Sequence, residues 1–242
     1  MEDQRRQILA DVAQGRLSPE EADRRLAEID SQPASDTVVA ATTQARLTAV
    51  RITGQAGSLL IVGDPSVREA VAEGDHSARR DGGVLIIEAR QDDAGFRFGN
   101  WGFQAERGAR RLAVRMNPDL PLEASVQAGS VKIEGVHGPI KADIQAGSAL
   151  LDGFEGPIEI TVQAGSVKAD GVLAGGNSWI RSEAGSVKLN LRHGSSVVVD
   201  VDSTMGSVTV PGGHGGHAVV GEGAGRLRID STMGTVRVTA DG

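Results

Sequence analysis

Along the second half of the chain, apolar and polar positions alternate with a period of two. Val131 and Ile133 point one way while Lys132 and Glu134 point the other, and the same parity returns in Ala149/Leu151, Val167/Ala169, Val187/Leu189, Val208/Val210 and Val236/Val238. Such a period belongs to a strand with one dry face. A second set lies between these segments: Ile140/Ala142/Ile144, Ile158/Ile160/Val162, Ile180 alone, and Val197/Val199/Val201. The two sets predict strands of roughly five residues, arranged as two stacked sheets around a thin aliphatic core.

The intervening residues repeat. QAGSVKIEG at 127–135 is rewritten as QAGSALLDG, QAGSVKADG and EAGSVKLNL, and more loosely as STMGSVTV and STMGTVRV. Gly129, Gly147 and Gly165 stand 18 residues apart, followed at wider spacing by Gly185 and Gly206, while Gly138 and Gly156 lie midway between the first three. A repeat this short marks an array in which each unit covers its apolar face with its neighbours. Glycine turns without the penalty of a Cβ, so AGS is expected at a chain corner. Its small neighbours let corners stack at the spacing of hydrogen-bonded strands, about 4.8 Å. The fold expected for residues 45–242 is a mainly β solenoid, or β-helix, of glycine-cornered short strands. Glycine at 33 of 242 residues fits a chain of corners and short strands.

Residues 1–30 carry a different period. Ile8, Leu9 and Val12 make a stripe that ends at Gly15, and Ser18-Pro19-Glu20-Glu21 supplies an N-cap serine, a proline at the first helical position and a glutamate at the third. Ala22, Leu26 and Ile29 continue at helical spacing. A small α-helical hairpin is predicted here, with Ile8, Leu9, Val12, Leu26 and Ile29 as candidate interaction residues, because so few residues cannot bury that face alone. Residues 31–44 have no period and read as a linker.

The glycine-punctuated repeat, preceded by ILADVAQGRLSPEEADRRLAEI, resembles the bacterial "putative-adhesin" or toastrack-type β-strand-repeat proteins, some of which belong to the Lia and phage-shock envelope-stress systems. The N-terminal segment is similar to the short helical module of LiaX-like proteins. The family's usual Ser-Gly-Asp corner stands here as Ala-Gly-Ser, keeping the glycine and losing the acid. The resemblance implies a β-solenoid and an accessory role in envelope stress, and it carries over no catalytic residue.

Composition narrows the chemistry. The chain has no cysteine, hence neither disulfides nor thiolate chemistry. No apolar run suits a secretion signal or a membrane span, so a soluble, cytoplasmic protein is expected, for which only peripheral membrane contact stays open. A net charge of -7 argues against non-specific nucleic-acid binding by bulk charge, though a local basic strip escapes that argument. His214 and His217 in GGHGGH lack a third ligand, and the corners lack the acids of a calcium-binding β-roll, so neither metal nor cofactor is expected. Glu134, Asp152 and Asp170 form an outward ladder that invites comparison with a glycan-cleaving carboxylate pair, yet Lys132, Lys168 and Lys188 share their strands.

Residues 91–111, QDDAGFRFGNWGFQAERGARR, concentrate Phe96, Phe98, Trp101 and Phe103 among arginines. They read either as a cap over the array or as a contact surface. The expected function is a non-enzymatic scaffold or binding protein, docking a protein partner or a second copy through residues 1–30. A bactofilin-like filament and a glycan-active β-helix enzyme are the alternatives.

Overall fold

The computed structural model describes residues 47–89, 111–212 and 215–241. They form a mainly β unit of twelve strands in one hydrogen-bonded sheet. In chain order these are β1 (Ala49–Gly63), β2 (Ala70–Glu73), β3 (His76–Asp81), β4 (Val84–Ala89), β5 (Arg111–Met116), β6 (Leu122–Glu134), β7 (Ile140–Phe154), β8 (Ile158–Gly171), β9 (Asn177–Leu191), β10 (Val197–Thr209), β11 (His217–Val220) and β12 (Gly225–Ala240).

This corrects the expected fold class. Instead of two sheets of short strands preceded by a helical hairpin, the described residues contain one sheet and no helix. Ile8, Leu9, Val12, Leu26 and Ile29 lie outside the described residues. The long strands have a clear cause. The AGS glycines adopt φ between 129° and 151°, an extended conformation in which L side chains are disfavoured, so the chain bends without leaving the ladder. Pairing runs from Val126↔Ile144 to Ala128↔Ala146 and on to Glu134↔Asp152, lapsing only at the glutamine before the bend. AGS is therefore a fold within a strand, not a corner between strands.

The bend also resets parity. Val126 and Val131 are five residues apart and would face opposite ways in a regular strand, yet both are buried. Each strand thus turns both halves toward one aliphatic core, which includes Ile140, Ile144, Ile160, Val167, Leu189, Ile229 and Val236. Val136, Phe154 and Leu173 fill it at the turns where one strand passes to the next.

Strand order departs from chain order. It runs β11-β10-β12-β9-β8-β7-β6-β1-β4-β3, so β12 is inserted between β9 and β10. The QAGS of β1 belongs to the same array, Gly57 pairing with Gly129. At β1 the sheet forks: its first half pairs with β4 and its second with β5. Antiparallel strands lie on the outside, β3 on β4, β2 on β5 and β11 on the first half of β10. β3 carries Arg79, Arg80 and Asp81, charges that discourage edge-to-edge association.

In one inward row three hydroxyls break the aliphatic pattern. Ser182, Ser231 and Ser203 are aligned across β9, β12 and β10, and each buries its oxygen without a partner among the described residues. The aligned position is Val162 in β8, Ile144 in β7 and Val126 in β6.

Candidate interaction surface

Because both halves of each strand turn one face inward, each half presents its other face to solvent as columns of residues in register. On the first halves, Arg51, Glu123, Lys141, Glu159, Trp179, Arg228 and Asp200 stand side by side. Charge alternates along much of this column and the pairs close: Arg51 with Glu123 at 2.6 Å, Lys141 with Glu159 at 3.8 Å, and His217 Nδ1 with Asp200 at 2.7 Å. Arg228 reaches Asp230 and Asp202 from the same face. The carboxylates of Glu123 and Asp230, first through hydrogen bonds and then through charge, hold Arg51 and Arg228 above the ordinary arginine pKa. Arg181 lies 5.4 Å from the centre of the Trp179 ring, a cation–π contact that occupies the ring.

On the second halves, one column runs Leu60, Lys132, Leu150, Lys168, Lys188 and Arg237. The next runs Glu134, Asp152, Asp170, Asn190 and Thr239. Lys132 meets Glu134 at 2.6 Å. Arg192, which follows β9, reaches over the second column and donates to both Asp170 and Asp152. Asp170, chiefly by its hydrogen bond, raises the Arg192 pKa. The outward ladder Glu134, Asp152 and Asp170 is thus present as a stack, but every member is held by a cation. Asn190 donates to Asp170 and Asp241 and accepts from Thr239. Toward the bend, Ser166, Ser186 and Thr235 add a row of hydroxyls.

Lys168, Lys188 and Arg237 stand apart. They are exposed, directly opposed across β8, β9 and β12, and form no ion pair with any described carboxylate. In their own strands the two lysines look like members of a solvated mixed-charge ladder, and no local pattern marks Arg237. The legible signal was two residues downstream: the acid of Lys132-Ile-Glu134 and Lys168-Ala-Asp170 becomes Asn190 and then Thr239. Trp179 sits alone in its repeat, so the sequence carries no signal for it.

Both clusters of candidate residues from the sequence, Ile8, Leu9, Val12, Leu26 and Ile29 and then Phe96, Phe98, Trp101 and Phe103, fall outside the described residues, as does His214. Among the described residues no group of His, Asp or Glu is arranged to hold a metal ion, and no helix is long and apolar enough to cross a membrane.

Neither a protein-family model nor a curated protein sequence matches the chain. Among solved structures the chain is similar to that of a "putative cell adhesion protein" from Clostridium sporogenes ATCC 15579, with 14% sequence identity, a TM-score of 0.47, and coverage of 82% of this chain and 95% of that one.

Proposed function

We propose that the protein is a non-enzymatic binding scaffold, in which the β unit is a rigid display surface. The observation that carries this reading is the use of the outward carboxylates. Glu134, Asp152 and Asp170 are tied to Lys132 and Arg192, so they serve as ion-pair partners across neighbouring strands. Glycan cleavage by a carboxylate pair needs one free carboxyl to give a proton and a second to attack or to activate water. Residues 1–30, with Ile8, Leu9, Val12, Leu26 and Ile29, act in this reading as the docking segment for a protein partner. The envelope-stress setting follows from the family resemblance of the repeat.

Affinity capture with the intact chain and with a chain lacking residues 1–30 tests the docking part. A protein retained only by the intact chain is expected, and identical captures would overturn it. Release of reducing ends from a polysaccharide panel by purified protein would overturn the non-enzymatic part.

A further inference from the structure

Lys168, Lys188 and Arg237 face one another across three hydrogen-bonded strands, at the inter-strand spacing of about 4.8 Å. Like charges directly opposed weaken a sheet. Other outward cations, Arg51, Lys132, Lys141, Arg192 and Arg228, are paired with carboxylates. Arg226, which has no carboxylate partner among the described residues, stands between Val198 and Asn177 and opposes no second cation. Beside the triplet the carboxylates are withdrawn. Asp170, the acid two residues after Lys168, is engaged by Arg192. The equivalent positions after Lys188 and Arg237 are the neutral Asn190 and Thr239. Asp241, further along, receives the Asn190 amide. On the other flank, Ser166, Ser186 and Thr235 present hydroxyls. The result is a strip of donors about 10 Å long, set by twice the strand spacing, on a chain whose net charge is -7.

We propose that this strip binds a linear phosphate-bearing polymer other than a nucleic acid, laid across β8, β9 and β12. The inference rests on the binding-scaffold reading and names the partner chemistry of its second outward face. A phosphate offers several strong acceptor oxygens, so one group can take hydrogen bonds from two adjacent cations and from a hydroxyl in the next row. Arg237 adds the fork that fits phosphate, while Lys168 and Lys188 act as point charges. Nucleic acid is disfavoured as the source of the phosphates, because the described aromatic on an outward face, Trp179, lies on the other half of the strands with Arg181 over its ring.

The test uses the full chain and long-chain inorganic polyphosphate, with binding measured by anisotropy at several salt concentrations. Polyphosphate is expected to bind with a salt-dependent affinity that drops at least tenfold in Lys168→Gln/Lys188→Gln/Arg237→Gln, while a charge-matched control, Arg68→Gln/Lys141→Gln/Arg226→Gln, keeps the parent affinity. The triple variant should melt no lower than the parent, since the replaced charges repel. Equal affinities for parent and strip variant, or an equal loss in the control, would overturn the proposal, as would tighter binding of polygalacturonate or of a single-stranded oligonucleotide. The strip variant leaves residues 1–30 unchanged, so failure of this test does not bear on partner capture by that segment.

Discussion

Gly147→Ala should be among the most damaging small substitutions in the β unit. Gly147 has φ +139°, and a Cβ there would fall inside the contact shell of the Gly129 carbonyl oxygen and 2.8 Å from its carbon. Neither atom can rotate away, because both belong to the backbone of the neighbouring strand. Backbone strain costs about 1–3 kcal/mol. Pushing the two strands apart sacrifices ladder hydrogen bonds on each side of the bend, at about 1 kcal/mol apiece. The total is about 4 kcal/mol, which for a unit of this size lowers the melting temperature by roughly 8–16 °C. Two other glycines separate the contributions. Gly82 has φ +56° with open space around the added atom, so Gly82→Ala pays only for a left-handed backbone, about 1–2 kcal/mol. Gly175 has neither a clash nor a positive φ, and Gly175→Ala should be neutral or stabilising by up to about 1 kcal/mol through the unfolded chain. Thermal melting of the three variants followed by circular dichroism makes the comparison. If Gly147→Ala loses no more than Gly82→Ala, close stacking of the bends is not what confines these positions to glycine.

Ile160 is wholly buried in β8, so Ile160→Asp places an unpaired carboxylate in the core and should prevent cooperative melting, whereas Lys141→Gln on the outward face should leave it nearly unchanged; equal losses in denaturant titrations would refute the assigned faces. Ser231→Val removes a buried hydroxyl without a partner among the described residues and substitutes the type of side chain held by Val162 and Ile144 in the same row, so stability should rise by about 1–2 kcal/mol. A lower denaturation midpoint would show that the site has no room for the added methyl. The Asp64 carboxyl receives the Ser66 hydroxyl and then its backbone N–H, which together hold its pKa below 3.8. Its stabilising contribution is therefore complete above that value and is lost as pH falls through the lower native pKa. Ser66→Ala should move the carboxyl back toward 3.8 in an NMR titration, and an unchanged titration would contradict the assigned cause.

What the sequence determined was what depends on a few adjacent residues. Alternation assigns the inward face of Ile140, Ala142 and Ile144 or of Val187 and Leu189 from period alone, and all five are buried. Glycine at 129, 147, 165 and 185 marks the bends, because no other residue tolerates both the positive φ and the neighbouring carbonyl. The tertiary structure decided everything that required choosing among distant partners. STMGSVTV and STMGTVRV are too similar for local preference to say which one lies against β9, yet β12 takes that place and β10 lies outside it. Whether the glycine ends a strand or merely folds it depends on ladder hydrogen bonds from the strands on either side, and these run through the bend. The antiparallel β2, β3 and β11 carry too little alternation to announce themselves. The exposed charges show the same limit: Lys132 and Lys168 look alike in their own strands, and they differ because Arg192, 24 residues beyond Lys168 in the chain, claims Asp170. Periodicity encodes which way a side chain faces, while the groups it meets are fixed by which strands pack together.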